Sequence, residues 1–258
     1  NPKTLCIDEN LIEASITEKT KAIFVVHYAG ISCDMDKVMD IASKHGLRVI
    51  EDAAQAIGSK YKGRLLGTIG DFGCISFHAT KNIICGEGGV LLVNSKKDLQ
   101  RAEIVWEKGT DRKQFIRGEI DKYSWVDIGS SYLPSELQAA VLSVQLNYLK
   151  EVIALREKLW KKYHAVFSLS LMEQKVKLPK MPDYNQPNYH IYSLIFDSQD
   201  QAILFADFMK KQGISAYFHF VALHESPKGQ SLGYSKEELK VSSNVGNCLV
   251  RLPMYNSM

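Results

Sequence analysis

The chain has 258 residues, enough for about two domains. Hydrophobic residues make up 45% and charged residues 24%, which excludes a disordered, collagenous or coiled-coil chain. The net charge of +3 is too small for a protein built mainly to neutralise nucleic-acid phosphates or anionic lipid. No apolar run approaches the roughly 18 residues that a membrane helix needs. We therefore expect a globular protein with neither nucleic acid nor a membrane as partner.

The cysteines are scattered, odd in number and without Cys-x-x-Cys spacing; they are Cys6, Cys33, Cys74, Cys85 and Cys248. This pattern argues against a disulfide framework and against a zinc site, and it favours a reducing compartment. We expect a cytoplasmic protein without a metal. The sequence starts without a methionine and partway into an α/β pattern, so we also expect an upstream segment that this chain does not contain.

The first half of the sequence alternates apolar strands with helices. Residues 21–28 are β-branched and aromatic, which predicts a strand covered on both faces. Residues 34–45 have helical spacing with Gly46 as a C-terminal stop. Residues 47–52 predict a second buried strand that ends in two acids. Strand, helix and strand in this order imply a right-handed crossover and a parallel sheet.

The following elements are shorter. Glycines punctuate residues 58–73, which predicts turns with a short hairpin. Residues 74–77 and 88–94 predict strands, and residues 97–107 a helix. Residues 109–129 have mixed charge and no period, and we expect a long ordered loop there.

The second half predicts a long helix and a smaller lobe. Residues 135–167 have helical spacing, with Pro134 at a position that suits a helix start. A proline-rich linker (179–187) leads to a strand (190–196), a helix (199–212) and a strand (216–220). We therefore predict an α/β fold with a large domain over 1–134, a connecting helix over 135–167 and a small α+β domain over 168–258.

Two reactive side chains follow neighbouring strands of the predicted sheet. Asp52 ends one strand and Lys81 comes just after another. Ligands of open parallel sheets bind beyond the carboxyl ends of the strands. The pair permits four interpretations: a structural ion pair, a pyridoxal phosphate site, a nicotinamide site or a phosphate-binding loop.

The neighbouring residues separate these interpretations. No G-x-G-x-x-G lies between a strand and a helix, and the P-loop pattern is absent, which disfavours the nicotinamide and nucleotide sites. Pyridoxal phosphate needs a lysine amine and a carboxylate that keeps the pyridine nitrogen protonated. Gln55, Ser76 and the glycines at 86, 88 and 89 supply further polar groups and close backbone approach near the same edge. They favour the pyridoxal phosphate site over a simple ion pair.

Three motifs also carry a family resemblance. IEDAAQ (50–55), SFHATKN (76–82) and GEGGVLLVN (86–94) resemble signatures of the DegT/DnrJ/EryC1/StrS sugar-nucleotide aminotransferases. The resemblance implies a pyridoxal phosphate enzyme of the aspartate-aminotransferase fold (fold type I) that acts as a homodimer. Residues 107–140 resemble the branch of dTDP-4-amino-4,6-dideoxygalactose transaminases. That branch implies L-glutamate and a dTDP-4-keto-6-deoxyhexose as substrates, for cell-surface polysaccharide or lipopolysaccharide biosynthesis.

The resemblance assigns a role to each matching residue. Lys81 would carry the cofactor and move the proton, and Asp52 would hold the pyridine nitrogen protonated. Gln55 would contact the phenolic oxygen and Ser76 the phosphate. Ser131, where most of the family has asparagine, would reach the cofactor phosphate of the partner subunit. The remaining candidates would bind the sugar nucleotide, unless the loop that carries the first three is merely solvated: Lys108, Arg112, Arg117 and His224.

Three competing functions stay open. In a related dehydratase, histidine replaces the cofactor-bearing lysine, so Lys81 favours the aminotransferase. Family members carry a further upstream segment with a phosphate loop and an aromatic residue that stacks on the cofactor. A non-catalytic lobe is therefore a second alternative for this chain. Nucleic-acid binding, the third, lacks a basic stripe with interleaved aromatic residues.

Overall fold

A computed structural model describes residues 1–173, 176–235 and 239–258. The first half alternates strands and helices as the sequence predicts. In chain order the elements are α1 (Glu9–Ile12), β1 (Ala22–Val26), α2 (Met35–His45), β2 (Arg48–Asp52), β3 (Lys60–Tyr61), β4 (Arg64–Leu65), β5 (Phe72–Ser76), β6 (Gly89–Val93), α3 (Leu99–Trp106) and α4 (Arg112–Ile116).

The second half begins with two consecutive helices and ends in a smaller lobe. Its elements are α5 (Glu136–Asn147), α6 (Leu149–Met172), β7 (Asn185–Gln186), β8 (Tyr192–Ile195), α7 (Gln199–Lys211), β9 (Tyr217–Phe218), α8 (Pro227–Ser231), α9 (Lys240–Cys248) and β10 (Leu249–Leu252). The predicted strands at 190–196 and 216–220 and the predicted helix at 199–212 are therefore all present.

The helix α2 forms the crossover of the predicted strand–helix–strand unit. The Asp34 side chain accepts a hydrogen bond from the backbone of Lys37 at its start, and Gly46 ends it in the left-handed conformation with φ of 62°. Its buried face carries Met35 and Val38, which pack into the main core. α2 thereby connects β1 to a parallel β2, and the prediction of a parallel unit is confirmed.

The main sheet has the strand order β1–β2–β5–β6. β1, β2 and β5 are parallel, while β6 runs antiparallel to β5. Because β2 and β5 are neighbours, Asp52 lies opposite Cys74. The carboxyl end of β2 and the segment that follows β5 therefore meet at one edge, which we call the strand-end edge.

One face of β1 differs from the prediction. Ile23 and Val25 are buried, whereas Phe24 is 54% and Val26 42% exposed. Successive side chains of a strand point to opposite faces of the sheet. The part of the chain that the structure describes covers only one of these faces, so the expectation of a strand covered on both was wrong.

Two further element predictions need correction. The segment 109–129 contains the helix α4, which has only five residues, too few to produce a readable period. The predicted continuous helix over 135–167 is two helices, because Tyr148 has φ of −96° and ψ of 6°, outside the helical range. Asn147 precedes this break, and asparagine side chains compete with the backbone for hydrogen bonds inside helices.

The small lobe is a three-stranded sheet, β8–β10–β9, covered by α7. Its core contains Tyr192, Leu194, Val250 and Leu252, and Trp160 of α6 packs against it. The central strand β10 has no counterpart among the predicted elements. It is a four-residue strand directly after a helix, and its short apolar run is the only signal that the sequence offers.

A buried carboxylate stabilises the loop beneath the main sheet. Glu51 lies 2.9 Å from the His27 ring and accepts hydrogen bonds from the backbones of Gly67, Ile69 and Gly70 at 2.6–2.8 Å. Burial alone would raise the pKa of Glu51, but the hydrogen bonds from His27 and the backbone outweigh it and leave that pKa lowered. Glu51 thus fixes the position of β2 immediately before Asp52.

We predict that Glu51→Gln lowers the free energy of unfolding by about 3 kcal/mol, because the amide group turns a donor toward backbone N–H groups. Urea denaturation followed by circular dichroism measures this loss. Glu18→Gln, at an exposed carboxylate, is the matched control and should change stability by less than about 0.5 kcal/mol. Equal effects of the two substitutions would contradict the role given to Glu51.

Candidate active site

The carboxylate of Asp52 is fixed at the strand-end edge. Asp52 is the last residue of β2 and is half-buried. Its Oδ1 atom accepts a hydrogen bond from the backbone of Ala54 at 2.9 Å. Among the described residues, Oδ2 has no hydrogen-bond partner. The hydrogen bond to Oδ1 therefore orients the carboxylate, and Oδ2 can accept a hydrogen bond from a ligand.

Lys81 follows β5 in a hydrogen-bonded corner. Its backbone N–H donates to the carbonyl oxygen of His78 at 2.9 Å, and the His78 N–H donates to Oγ of Ser76 at 3.3 Å. The His78 ring in turn contacts the Thr80 hydroxyl at 2.9 Å. These contacts fix the backbone of Lys81 just beyond the end of the strand, and its side chain is half-buried.

The ammonium group of Lys81 is partly desolvated. Burial lowers its pKa, the nearby Asp52 carboxylate raises it, and the charge of Arg251 lowers it again. The net result is a pKa below the ordinary value for lysine. The charges of Asp52 and Arg251 thus both act on Lys81, and the amine is neutral in a larger fraction of molecules near pH 7 than in an exposed lysine.

Gln55 lies at the same edge, where it holds the turn that follows β1. Its Oε1 atom accepts a hydrogen bond from the backbone of Ala29 at 2.8 Å. Ala29 has φ of 57°, a left-handed conformation that a non-glycine residue adopts only when its surroundings enforce it. The side-chain nitrogen of Gln55 has no partner among the described residues and can donate to a ligand.

A buried polar network connects Lys81 to the small lobe. Asn82 donates through Nδ2 to the carbonyl of Asn188 at 3.1 Å, and its Oδ1 lies 2.8 Å from Nδ1 of His190. His190 therefore donates from Nδ1. Arg156 of α6 donates to the backbone carbonyls of Tyr189 and His190 and to that of Met254. This network fixes the residue next to Lys81 relative to both lobes.

Two histidines beside the site are kept neutral. Burial, together with the charges of Arg156 and Lys81, lowers the pKa of His190 to about 3. Burial, Arg251 and Lys81 lower the pKa of His219 to about 4. The His219 ring is hydrogen-bonded through Nδ1 to the Tyr28 hydroxyl, and this contact joins the turn after β1 to the small lobe.

Arg251 was missed in the sequence analysis. It is the third residue of β10, paired with Ser193 on one side and Tyr217 on the other. Its neighbours Val250 and Leu252 point into the core of the small lobe, so Arg251 points to the opposite face. A single arginine within a short apolar run is the signal that could have identified it.

The other predicted site residues lie elsewhere. Arg112 pairs with the buried carboxylate of Glu107 at 2.5 Å, and Arg117 contacts two glutamates, Glu103 and Glu119. Lys108 is exposed and Ser131 forms a backbone bridge with Glu107. The buried His224 lies 2.9 Å from the Ser243 hydroxyl. No described contact joins Lys108, Arg112, Arg117, Ser131 or His224 to Lys81 or Asp52.

Residues 1–173, 176–235 and 239–258 contain neither a candidate membrane helix nor a candidate metal cluster. None of the helices there combines the length and apolar character that a membrane crossing requires. Nor do three or more histidine, cysteine or acidic side chains come together there as a candidate metal site.

Sequence comparison shows the class of protein to which the chain belongs, the sugar aminotransferases. The sequence profile of the DegT/DnrJ/EryC1/StrS aminotransferase family matches residues 1–258. The chain belongs to this family, as the three motifs predicted.

Individual relatives match almost the whole chain. An uncharacterized protein of Methanocaldococcus jannaschii is 34% identical over 99% of this chain and 67% of its own length. The spore coat polysaccharide biosynthesis protein SpsC of Bacillus subtilis is 30% identical with the same coverage. The chain thus spans about two thirds of the length of these curated relatives.

The fold is also that of solved aminotransferases. Spr1654 of Streptococcus pneumoniae, assigned as a sugar aminotransferase and solved in its PLP form, has a TM-score of 0.89 at 23% identity. The comparison covers all of this chain and 69% of Spr1654. This likeness and the mostly parallel sheet confirm the predicted aspartate-aminotransferase-like α/β fold.

We predict that the fold loses stability as the pH falls, through the two neutral histidines. An unfolded histidine takes up a proton below about pH 6.5, whereas His190 stays neutral in the folded state down to about pH 3. The histidine contribution to the free energy of unfolding is thus fully present above pH 6.5. Toward lower pH, the free energy of unfolding falls by about 1.4 kcal/mol per pH unit for each of the two histidines. Denaturation at several pH values measures the slope.

The asparagine of His190→Asn keeps a donor near the position of Nδ1 but cannot take up a proton. Between pH 6.5 and 4, the slope of the free energy of unfolding against pH should therefore be smaller by the contribution of one histidine. His164→Asn, at an exposed position of α6, is the matched control and should leave the slope unchanged. A wild-type slope that His190→Asn does not alter would contradict the low pKa of His190.

Proposed function

We propose that this chain carries the cofactor lysine of a pyridoxal phosphate-dependent aminotransferase. The enzyme transfers the amino group of L-glutamate to C4 of a dTDP-4-keto-6-deoxyhexose. The observation that supports this most is the placement of Lys81 and Asp52 at one strand-end edge, where the Asp52 charge acts on the Lys81 amine. The motif resemblance of residues 107–140 supports the particular sugar nucleotide and donor.

The polar groups at the strand-end edge fit pyridoxal phosphate. Lys81 offers an amine with a lowered pKa, and Asp52 offers an oxygen without a partner. Gln55 has a free donor nitrogen, and the Ser76 hydroxyl accepts from the backbone but keeps its own proton to donate. An amine, a carboxylate, an amide and a hydroxyl are the groups that the aldehyde, ring nitrogen, phenolic oxygen and phosphate require.

When bound, the cofactor supplies an electron sink for the electrons released at the reacting carbon. Asp52 provides the negative charge that keeps the ring nitrogen protonated. The amine of Lys81 would accept the proton from the α-carbon of the donor and donate it to C4′ of the cofactor. A lysine can do this near pH 7 only with a lowered pKa. Gln55 orients the ring, and Ser76 binds the phosphate.

The strongest alternative is a dehydratase that removes a sugar hydroxyl with the same cofactor. The family resemblance implies a histidine in place of the lysine in such enzymes. Position 81 is a lysine, and His78 is three residues away, bound to Thr80 in the corner. Lys81 therefore favours amino transfer over dehydration.

We further propose that the active enzyme is a homodimer with active sites shared between subunits. The segment 123–133 is held by backbone hydrogen bonds, yet it exposes Trp125 at 75%, Ile128 at 86% and Tyr132 at 64%. Ordered apolar side chains on a surface are typical of protein interfaces. Ser131 lies in this segment, which supports its proposed contact with the cofactor phosphate of the partner subunit.

The other predicted site residues are proposed to bind the sugar nucleotide. Lys108, Arg112 and Arg117 follow α3, and we propose that they contact the diphosphate, with His224 at the sugar end. For Arg112 and Arg117 this requires that they share their guanidinium groups with the glutamates they already bind. The product would be used for cell-surface polysaccharide or lipopolysaccharide, consistent with the name of the relative SpsC.

We predict that the holoenzyme, prepared from the full-length chain, shows the absorption band of lysine-bound pyridoxal phosphate and that Lys81→Ala lacks it. The reason is that only Lys81 offers its amine at the strand-end edge among the described residues. A spectrum recorded at saturating cofactor tests this. Lys19→Ala, at an exposed lysine, is the control and should keep the band. A band that survives in Lys81→Ala would show that another lysine binds the cofactor.

We predict that Asp52→Asn retains the lysine-bound cofactor but lowers kcat/KM by about 10³-fold, since a neutral amide cannot hold the ring nitrogen protonated. Steady-state assays with L-glutamate and the keto sugar nucleotide measure the loss. Asp36→Asn, at an exposed carboxylate on α2, is the control. Activity within threefold of wild type in Asp52→Asn would remove Asp52 from the proposed site.

A further inference from the structure

The segment 185–190, which leads into the small lobe, is bonded to the loops that follow three strands of the main sheet. The side chain of Asn185 accepts a hydrogen bond from the backbone of Ser32, after β1, at 2.9 Å. Asn188 is fully buried and binds the loops after β2 and β5. The segment therefore connects the chain beyond the carboxyl ends of all three parallel strands.

Three of the four polar groups of Asn188 are bonded to these loops. Its Nδ2 atom donates to the carbonyl oxygens of Gln55 and Ile57, both at 3.0 Å. Its backbone N–H donates to Oγ of Ser59 at 2.9 Å, and its carbonyl oxygen accepts from Nδ2 of Asn82 at 3.1 Å. The two carbonyl acceptors fix which end of the amide is the nitrogen. One buried residue thus contacts both Gln55 and the residue that follows the cofactor lysine.

The fourth polar atom of Asn188, Oδ1, lies against the turn that follows β1. It is buried and has no hydrogen-bond partner among the described residues. A Cβ atom at Gly30 would lie 2.1 Å from this oxygen, closer than a non-bonded contact allows, and Gly30 has φ of 82°. Only glycine fits at this position. The preceding residue, Ala29, donates to the side chain of Gln55, so Asn188 touches the same turn that Gln55 holds.

Strand pairing alone does not fix the loops that carry Gln55 and Lys81. Gln55 follows the last residue of β2 by three positions, and Lys81 follows the last residue of β5 by five. A loop can move relative to its neighbour unless contacts connect the two. The hydrogen bonds of Asn188 supply such a connection, because they join the carbonyl of Gln55 to the residue that follows Lys81. The position of one side chain relative to the other thus depends on Asn188.

We propose that Asn188 is a positioning residue for the reaction, in that it holds the side-chain nitrogen of Gln55 in a fixed position relative to the amine of Lys81. This inference rests on the proposed function, in which Gln55 donates a hydrogen bond to the phenolic oxygen of pyridoxal phosphate. Such a bond favours the negatively charged form of that oxygen when the cofactor-bound nitrogen of Lys81 carries no proton. Loss of the bond therefore raises the pKa of that nitrogen.

The position of Gln55 can be measured without cofactor, by amide hydrogen exchange in the full-length chain. The side chain of Gln55 accepts from the N–H of Ala29 at 2.8 Å, so exchange at Ala29 reports whether Gln55 stays in place. We expect Asn188→Ala to speed this exchange at least about 10-fold, while exchange in β10 stays within about threefold of wild type. Asn256→Ala, at an exposed asparagine, is the control and should change neither rate.

The holoenzyme, prepared from the full-length chain, gives the second readout. The absorption band of lysine-bound pyridoxal phosphate changes when its nitrogen takes up a proton, and we expect Asn188→Ala to raise the midpoint of this pH titration by about one unit. We also expect kcat to fall about 10-fold, with the KM for L-glutamate within about threefold of wild type. In a Gln55→Ala background, Asn188→Ala should shift the midpoint no further, because it acts through Gln55.

Three results would overturn the role of Asn188. Faster exchange in all peptides, β10 included, would indicate a general loss of stability. An unchanged midpoint in Asn188→Ala, or a shift that persists in the Gln55→Ala background, would show that Asn188 does not act through Gln55. Should Asn188→Ala not fold, Asn188→Ser, which keeps a donor for one of the two carbonyls, decides by the same comparison. A wild-type holoenzyme that lacks both the band and the amino transfer would instead refute the proposed function.

Discussion

The pairing of β2 with β5 is the constraint on which the candidate site depends. Parallel neighbours end at the same edge of a sheet, so this pairing places Asp52 next to the segment that carries Lys81. Glu51 fixes β2 from below by accepting backbone hydrogen bonds from the loop that precedes β5. The His78 corner then limits how far Lys81 can move from the strand end. The hydrogen bonds of Glu51 and of the His78 corner thus set the distance between the chain positions of Asp52 and Lys81.

Buried polar contacts connect the two lobes beside the candidate site. Asn82 joins Lys81 to the segment before β8, and Arg156 binds that segment from α6. A buried arginine without a carboxylate is uncommon, and burial lowers the pKa of Arg156 to about 10. Its three backbone acceptors compensate part of this cost. The result is a small lobe whose free face, with Arg251, is oriented toward the strand-end edge.

The sequence predicted the parts of this structure that depend on local patterns. The capped helix α2, the strands around it and the polar residues after β2 and β5 follow from periodicity and from residues that end elements. It did not predict the exposure of Phe24, because burial depends on what packs against a strand. It also missed β10 and Arg251, since four residues carry little periodicity and the neighbours of Arg251 come from distant segments. The glutamate partners of Arg112 and Arg117 were not predicted either, because the short helix α4 that positions these arginines was not recognised in the sequence.

A crystal structure of the holoenzyme would show whether Lys81 and Asp52 hold the cofactor together. We predict continuous electron density between Nζ of Lys81 and pyridoxal phosphate, with the ring nitrogen about 2.7–3.0 Å from Oδ2 of Asp52. Density for the cofactor on a different lysine, or an Asp52 carboxylate directed away from the ring nitrogen, would contradict it.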